Sequence, residues 1–469
     1  VSVGCNRSVH SADWNHEDPP GGGLVAYGAH KAVAVYDPVA ARVLRTLPGH
    51  DAPVTVVRWI PDDDAPGRWL VSGDSSGVVV LWHRVDTPGG GGQGLRGLIA
   101  AGTSPQSGKQ RRGVDPDAHK WEMVSKQKAH DGPVLDARAE RTVAGGKRTG
   151  IRLLATASQD CAVRLFCLDL APAPAPASAP GSDASPGRGA RGEPEGPKYL
   201  VPAGGLTFPL KRLPLSLALR HLPGTHRLVL AVGGADGGIK LFLCSTEAID
   251  RREAADSVVM NPVVVEPCAS LLGHTDWVRD LAFTEDDDFG DENVERQRIP
   301  GLLLASASQD RTARVWRVRV VPVIEDDAAE LGPEFARLAA PPAPPCVALN
   351  GMARIATALE ALLQGHEDWV MSVTWRPKVF EGDTEALLTA SADRSLISWT
   401  PVREFRAKDL NAGNAKQEQS QKVWMASESM GDASSSCLGF YGAMFDANAE
   451  RVLAHAHGGA LHAWRRAGD

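Results

Sequence analysis

One pattern constrains this 469-residue chain more than any other: a turn followed by a short alternating strand that closes on an aromatic residue, written seven times. The seven copies are "GAHKAVAVY" ending at Tyr36, "SSGVVVLW" at Trp82, "QDCAVRLF" at Phe166, "ADGGIKLF" at Phe242, "QDRTARVW" at Trp316, "ADRSLISW" at Trp399 and "HGGALHAW" at Trp464. Alternation rich in β-branched residues is typical of β-strands. The spacing of the first two copies matches a four-stranded blade of roughly 40–45 residues. The repeat therefore predicts an all-β, seven-bladed β-propeller that occupies residues 1–469 as one domain.

Polar residues recur at fixed places within the units. A His before the first strand can bond an Asp in the turn between the second and third strands, and the closing Trp can join that network through its ring nitrogen. The complete sets are His274, Asp310 and Trp316, then His366, Asp393 and Trp399. The third unit has His130 and Asp160 but closes on Phe166, which lacks the indole donor. In the second unit Ser76 takes the expected Asp position, with Asp74 two residues earlier. We interpret these residues as structural blade networks, not as metal ligands or acid–base groups.

Five stretches interrupt the blades, at 86–119, 171–205, 246–268, 319–358 and 403–436. The first two are rich in Pro, Ala, Gly and Ser, and the other three have a less extreme composition. We expect all five to be insertions, several of them disordered, that mostly follow the third strand of a blade. Too little chain follows Trp464 for a fourth strand in the last unit. We therefore expect residues 1–6 to supply that outer strand and close the ring.

The Gly-His opening and the Asp six residues before a closing Trp resemble the WD-repeat family. Longer segments are more specific: "SLLGHTDWVRDLAF", "LLQGHEDWVMSVTWRP" and "LGFYGAMFDANAERVLAHAHGGALHAW" resemble the family of the second subunit of the Elongator complex. That family carries two propellers in tandem, and this chain resembles the first, so we expect it to be part of a longer protein.

The resemblance implies a non-catalytic scaffold. The Elongator complex modifies the wobble uridine of certain transfer RNAs, and its chemistry belongs to a catalytic radical-SAM and acetyltransferase-like subunit. The second subunit is bound between that subunit and the large scaffold subunit, so these two are the implied partners. Contact with tRNA would be indirect, and the location cytoplasmic and also nuclear.

Two sets of residues are candidates for partner contact. Asp276 and Trp277 precede one first strand, and Asp368 and Trp369 precede another; a Trp there either fills the space between blades or anchors a partner. Lys109, Arg111 and Arg112 belong to a basic cluster that is either a solvated linker or a contact to a phosphate backbone. Two alternatives to the scaffold therefore stay open: a peptide or histone-tail reader using the central mouth of the ring, and a direct RNA-binding propeller.

The remaining sequence features argue against several classes of protein. The net charge of −7 disfavours a chain that mainly coats nucleic acid. The seven scattered cysteines contain no Cys-x-x-Cys pair, which favours a reduced, intracellular compartment. No apolar run is long enough for a membrane span. "GGGGQG" formally fits a dinucleotide fingerprint but lies in a Gly-rich linker. We expect no catalytic group, cofactor, metal or small-molecule substrate.

Overall fold

The seven repeats form seven antiparallel sheets, each a blade of a β-propeller. This architecture is given by a computed structural model that describes residues 4–15, 23–62, 67–86, 119–144, 147–170, 199–245, 263–286, 301–322, 347–349, 353–380, 383–405, 420–431 and 438–465. The sequence-based prediction of a seven-bladed propeller is confirmed.

The first three blades each have four strands, numbered here from the innermost outward. Blade 1 consists of β1 (Ala12–Trp14), β2 (Val25–Ala29), β3 (Ala32–Asp37) and β4 (Arg42–Pro48). Blade 2 consists of β5 (Val54–Trp59), β6 (Trp69–Asp74), β7 (Val78–Asp86) and β8 (His119–Lys128). Blade 3 consists of β9 (Val134–Ala144), β10 (Lys147–Ser158), β11 (Ala162–Asp169) and β12 (Leu200–Thr207).

The remaining blades follow the same order, with one addition at the outer edge of blade 5. A short 3₁₀ turn (Leu210–Arg212) leads to blade 4, which is β13 (Pro214–His221), β14 (Arg227–Gly234), β15 (Ile239–Ser245) and β16 (Val264–Leu271). Blade 5 is β17 (Val278–Asp286), β18 (Gly301–Ser308), β19 (Thr312–Pro322), β20 (Val347–Leu349) and β21 (Ala353–Gln364), with β20 outermost. Blade 6 is β22 (Val370–Trp375), β23 (Leu387–Ser391), β24 (Ser395–Phe405) and β25 (Ser420–Gly431). Blade 7 is β26 (Phe440–Phe445), β27 (Arg451–Ala456) and β28 (Leu461–Arg465).

The innermost strands of neighbouring blades touch one another all the way around the ring, including β26 of blade 7 against β1 of blade 1. The hydrophobic core therefore consists of layers between successive sheets. Leu153 and Leu165 of blade 3, for example, share one buried cluster with Leu217 and Leu230 of blade 4. Burying both faces of each sheet in this way is what radial stacking of blades achieves.

Each blade places one residue in the left-handed backbone region at the turn between its second and third strands. Glycine takes that place in blades 2, 4 and 7 (Gly77, Gly237 and Gly459), since it has no Cβ to clash. The other four blades put a side chain there. These residues are His30, Cys161, Arg311 and Arg394. Four of the seven turns thus carry a side chain in a backbone region that favours glycine.

Residues 4–6 lie against the last blade. The backbone N–H of Cys5 donates to the carbonyl of Gly459 at 2.9 Å. The equivalent bonds in blades 2 and 3 join Ala129 to Gly77 and Phe208 to Cys161, and in both cases they come directly after the outer strand. Cys5 thus takes the place in blade 7 that Ala129 and Phe208 take in blades 2 and 3, directly after the outer strand. Residues 1–3, the rest of the predicted closing strand, lie outside the described residues.

The five predicted insertions follow the third strands of blades 2 to 6, and four of them also include several residues that form strands. The stretch 403–436 contains all of β25, and 171–205 contains most of β12. The stretches 246–268 and 319–358 likewise overlap β16 and β21. The sequence predicts a fourth strand for each blade but not its position, because these outer strands bury few residues and lack strong hydrophobic alternation. Within the described residues, no helix has the length and apolar character needed to cross a membrane.

Candidate functional site

A chain of polar side chains crosses the interior of blade 5. The indole N–H of Trp316 donates to the Ser306 hydroxyl at 3.0 Å, and that hydroxyl lies 2.8 Å from Nε2 of His274. Nδ1 of His274 lies 2.8 Å from Oδ2 of Asp310. A single neutral tautomer satisfies all three contacts: His274 donates through Nδ1 to the carboxylate and accepts the Ser306 proton at Nε2.

The same chain of contacts recurs in two other blades. In blade 6 it runs from Trp399 through Thr389 and His366 to Asp393, with distances of 3.0, 2.7 and 2.9 Å. In blade 2 it runs from Trp82 through Ser72 and His50 to Asp74, with distances of 2.8, 2.7 and 2.8 Å.

Blade 3 has a shortened version. Nδ1 of His130 lies 3.0 Å from Asp160, and Nε2 lies 2.9 Å from the Thr156 hydroxyl. Phe166 occupies the place of the tryptophan and offers no N–H donor. The blade therefore keeps the bond between its first loop and its central turn but lacks the hydrogen bond from an indole of its third strand.

Burial and hydrogen bonding act in opposite directions on these groups. Burial lowers the pKa of His274, and Asp310 only partly offsets this, so the imidazole is neutral near pH 7. Burial also raises the pKa of the Asp310 carboxyl, but the bonds from His274, Thr312 and the Thr275 N–H outweigh it and the net shift is downward. Asp74 behaves in the same way, with its pKa lowered to about 2. A neutral His beside an ionised Asp is the charge state that the geometry requires.

Sequence reasoning missed two features of these networks. It assigned no role to the hydroxyl residue of the second strand, although Ser72, Thr156, Ser306 and Thr389 each stand ten residues before the closing aromatic. It also treated blade 2 as degenerate because Ser76 takes the expected Asp position. Asp74 reaches His50 from two residues earlier, and its other oxygen accepts from the N–H and hydroxyl of Ser76.

A second polar cluster lies where the innermost strands converge, and the sequence analysis did not predict it. It joins His10, Arg58 of blade 2, Asp136 and Arg138 of blade 3, and Asp280 of blade 5. Arg58 lies 3.3 Å from Asp136, and Arg138 lies 2.9 Å from Asp280. The ring of His10 contacts Arg58 and lies 3.4 Å from Asp136. Contacts among three different blades and the N-terminal segment place this cluster at the axis of the ring.

The axial cluster has the residue types of a metal site but not the electrostatics. Ligand atoms of His10, Asp136 and Asp280 lie within 4.8 Å of one another. The two guanidinium groups already supply the positive charge that a cation would bring, and the carboxylates also accept backbone N–H bonds. Burial and then Arg58 lower the pKa of His10, consistent with a neutral imidazole among paired charges. The arrangement is suited to holding blades together.

A cavity of about 240 Å³ adjoins the axial cluster and is lined by Arg58, Arg138, Asp280 and His455 among others. The N-terminal residues Val9 and His10 form part of its wall. The described central space therefore has charged walls whose groups are largely bonded to one another. A peptide or histone-tail reader would favour an acidic, aromatic mouth. The residues named here instead form a wall in which arginines are paired with carboxylates.

The candidate partner-contact residues lie together at one end of the blades. The side chain of Trp277 is 40% exposed and that of Trp369 is 46% exposed. Asp276 and Asp368 each accept the N–H of the following tryptophan at 2.8 Å, and Arg279 lies over the Trp277 ring at 5.0 Å. Both indoles are therefore partly exposed to solvent and do not fill the space between blades.

The candidate RNA-contact residues Lys109, Arg111 and Arg112 lie outside the described residues. The neighbouring lysines of β8 are described, and each has a partner within the protein. Lys126 pairs with Asp51 at 2.7 Å, Lys120 pairs with Glu122 at 2.9 Å, and Lys128 donates to the carbonyl of Ser76.

Comparison with known proteins agrees with this architecture. The family model "WD domain, G-beta repeat" matches residues 41–83, 265–317 and 358–400. The chain is 27% identical to Elongator complex protein 2 of Arabidopsis thaliana, over 99% of this chain and 45% of that protein. It is 27% identical to the protein of the same name in Mus musculus, over 98% of this chain and 43% of the relative. The relative in Saccharomyces cerevisiae is 24% identical over 93% of this chain and 40% of its own length.

The chain spans less than half the length of the curated relatives it matches. A solved chain from the mitotic checkpoint complex covers 98% of this chain at 13% identity and a TM-score of 0.48, too weak a likeness to carry weight. The resemblance that the sequence segments suggested is confirmed by these relatives. This chain is a seven-bladed WD-repeat propeller that is similar, along nearly its whole length, to Elongator complex protein 2.

Proposed function

We propose that this chain is a non-catalytic scaffold portion of an Elongator complex, supporting wobble-uridine modification of tRNA by holding other subunits. The observation that carries the proposal is the similarity to Elongator complex protein 2 over 98–99% of the chain in plant and mouse. The partners implied are the catalytic radical-SAM and acetyltransferase subunit and the large scaffold subunit. Contact with tRNA is indirect, no small-molecule substrate is bound, and the location is cytoplasmic and also nuclear.

The chemistry of the described residues supports a role without catalysis. A catalytic acid, base or nucleophile needs access to a substrate and a geometry that is free to act on it. The His–Asp pairs of blades 2, 3, 5 and 6 instead have both ring nitrogens bonded to residues of their own blade. The axial histidine and carboxylates are buried among paired arginines. These groups stabilise a rigid ring, which is the property a scaffold needs.

The proposal is tested by affinity capture of the tagged chain from extract of its own source, read by mass spectrometry. Recovery of both the catalytic and the large scaffold subunit is the expected result. An unrelated seven-bladed WD-repeat protein with the same tag is the control for non-specific capture. If neither subunit is recovered with this chain or with the full-length protein, the proposal is wrong.

The indirect role of tRNA is tested separately. A triple change of Lys109, Arg111 and Arg112 to Glu should leave tRNA affinity of the isolated chain as weak as that of the unmodified chain. A strong, salt-sensitive affinity that the triple change abolishes would instead support direct RNA binding, because phosphate contacts are lost with added salt.

A further inference from the structure

Five of the large apolar residues that are exposed in the described part of the chain lie in the connections between blades 3 to 7. Leu210 lies between blades 3 and 4, Leu272 and Trp277 between blades 4 and 5, Trp369 between blades 5 and 6, and Leu438 between blades 6 and 7. Their exposed fractions run from 40% for Trp277 to 80% for Leu210. The connections before blades 2 and 3 carry His-Asp-Ala-Pro and His-Asp-Gly-Pro at the same place. We call the five residues the apolar crescent.

The connections between blades all emerge at the same end of the ring, because each leads from an outer strand into the next innermost strand. The turns between second and third strands reach the same end. The N–H of Gln309 donates to the Trp277 carbonyl at 3.0 Å, and the N–H of Ala392 donates to the Trp369 carbonyl at 2.9 Å. The crescent is therefore one side of a single face, and its two tryptophans are fixed by backbone bonds to the adjacent turns.

The tryptophans are preorganised for contact. Ser308 and Ser391 donate to the carbonyls of Asp276 and Asp368, which adds a second bond to each loop. A loop backbone held in this way loses little conformational freedom when a partner covers the tryptophans. Tryptophan and arginine are also the residues most enriched among those that dominate binding energy at protein interfaces.

Two exposed arginines beside the crescent are able to pair with carboxylates on a partner. Arg311 and Arg394 are exposed in the turns of blades 5 and 6, and neither forms an ion pair with another described residue. The neighbouring Asp276, Asp310, Asp368 and Asp393 are all bonded to N–H groups or imidazoles of the protein itself. Glu367 is also exposed on this face, so the two guanidinium groups set a local preference and do not make the whole face basic.

The backbone at these arginines is unfavourable for a side chain. Arg311 has a φ of 68° and Arg394 a φ of 72°, where blades 2, 4 and 7 use glycine. A non-glycine residue in this region is disfavoured by contact of its Cβ with the backbone. Arginine in both turns costs stability relative to glycine, as do His30 and Cys161 at the same place in blades 1 and 3.

We propose that the apolar crescent, with Arg311 and Arg394, is a docking face for a protein segment that carries leucine-type apolar side chains flanked by carboxylates. The proposal rests on the scaffold function above, since the segment would belong to one of the two partner subunits. It goes further by naming the face, the anchoring residues and the chemistry of what binds there. Trp277 and Trp369 are the apolar anchors, and the two arginines pair with the carboxylates.

The experiment reconstitutes the chain with purified catalytic and large scaffold subunits and measures affinity at two salt concentrations. The double variant Trp277→Ala, Trp369→Ala should bind about tenfold more weakly or worse, as expected for interface anchors. The conservative pair Trp277→Phe, Trp369→Phe should retain much of the affinity. Phe380→Ala is the matched control, because Phe380 is 74% exposed but lies in the turn between β22 and β23, at the opposite end of the blade.

A second pair of variants separates binding from folding. Arg311→Gly, Arg394→Gly relieves the backbone strain, so its melting temperature should equal or exceed that of the parent chain. Its affinity for the subunits should nevertheless fall, and the remaining affinity should depend less on salt. Full affinity in both the tryptophan and the arginine variants would overturn the proposal.

The proposed function can fail without deciding the docking proposal, so a second probe is included. The probe is a labelled 18-residue amphipathic peptide with leucines on one face and glutamates on the other, compared with the same peptide carrying lysines. If the subunits do not bind the parent chain, binding of the glutamate peptide that is lost in the tryptophan variant still supports the crescent. The proposal is overturned if neither the subunits nor the glutamate peptide binds, or if the lysine peptide binds as tightly as the glutamate peptide. It is also overturned if the chain binds RNA in preference to the peptide and the tryptophan variant abolishes that RNA binding.

Discussion

The carboxylate of Asp136 in blade 3 accepts a hydrogen bond from the backbone N–H of Leu217 in blade 4, at 2.8 Å. Asp280 of blade 5 makes the same kind of bond to the N–H of Val373 in blade 6, at 3.1 Å. Asp13 of blade 1 bonds the N–H of Trp59 in blade 2, at 2.8 Å. Each aspartate thus ties its own innermost strand to that of the next blade, near the axis where the strands come closest.

Asp136→Asn should destabilise the ring strongly. The substitution keeps the shape of the side chain but leaves Arg58 and Arg138 with less compensating charge in a buried site. Removing one partner of a buried ion pair costs about 3–5 kcal/mol. The measurement is the free energy of unfolding from urea denaturation, with the exposed Asp131→Asn as the control. Equal stability of the two variants would contradict the importance of the axial charges.

Thr389→Val tests the hydroxyl residue that links the blade network. The change preserves volume but removes the group bonded to both His366 and Trp399. Two buried polar atoms then lose their partner, so we expect a loss of about 2–3 kcal/mol. Thr357→Val, on the half-exposed part of β21, is the matched control and should change the unfolding free energy little. If Thr357→Val lowers the unfolding free energy and Thr389→Val does not, the result counts against the network.

Trp316→Phe should make blade 5 resemble blade 3, which has Phe166 at the same position. The loss of the indole donor to Ser306 removes one link while His274 and Asp310 stay bonded. We expect a cost of about 1–2 kcal/mol, smaller than for Thr389→Val, because only one hydrogen bond and part of the packing are lost. Thermal unfolding of this variant beside the exposed Trp277→Phe gives the comparison. A cost exceeding that of Thr389→Val would show that packing of the indole outweighs its hydrogen bond.

Mild acid should destabilise the protein through its buried histidines. Burial and then Arg58 lower the pKa of His455, against the bond to the Ser8 carbonyl, to about 4. The unfolded chain binds a proton near pH 6.5, so between pH 6.5 and about 4 it holds more protons than the folded chain. Stability therefore falls as the pH drops through this window, by about 1.4 kcal/mol per pH unit for each such histidine. Burial lowers the pKa of His10, His130 and His274 in the same direction.

Urea denaturation at pH 7, 6 and 5 measures this slope. His455→Gln should lower stability at pH 7 and flatten the slope, whereas the exposed His226→Gln should leave the slope unchanged. Stability that stays constant or rises from pH 7 to pH 5 would contradict the assignment of neutral buried histidines.

The repeating elements of this fold were accessible from sequence because they depend on local patterns. An aromatic that closes the third strand, with the turn before it, occurs seven times between Tyr36 and Trp464, and the count of seven blades follows from this. The positions of the outer strands could not be predicted from the sequence, because strands such as β25 bury few residues and show no clear alternation of apolar and polar residues. The bond of Asp74 did not follow from the repeat, because Ser76 stands where Asp is expected, whereas in the structure the Asp74 carboxylate reaches His50.

The axial cluster shows a different limit of sequence reasoning. Asp136 and Asp280 each stand six residues after the His of their unit, and Arg58 and Arg138 each stand eight residues after theirs, but this spacing alone does not show that the four side chains meet. Only closure of the ring brings them within contact. The asymmetry of exposed apolar residues likewise depends on which loop side chains the packed blades leave uncovered, as with Leu438 and Trp369.

The contact between His455 and the carbonyl of Ser8 joins residues 447 positions apart. During translation at 5–20 residues per second, the N-terminal segment must wait roughly 20 to 90 seconds for its partner to emerge. Until then the inner edges of blade 1 and of each newly made blade have no neighbour on one side. Completion of this ring thus requires the synthesis of blade 7, and a polypeptide interrupted before blade 7 would leave apolar sheet surface exposed to solvent.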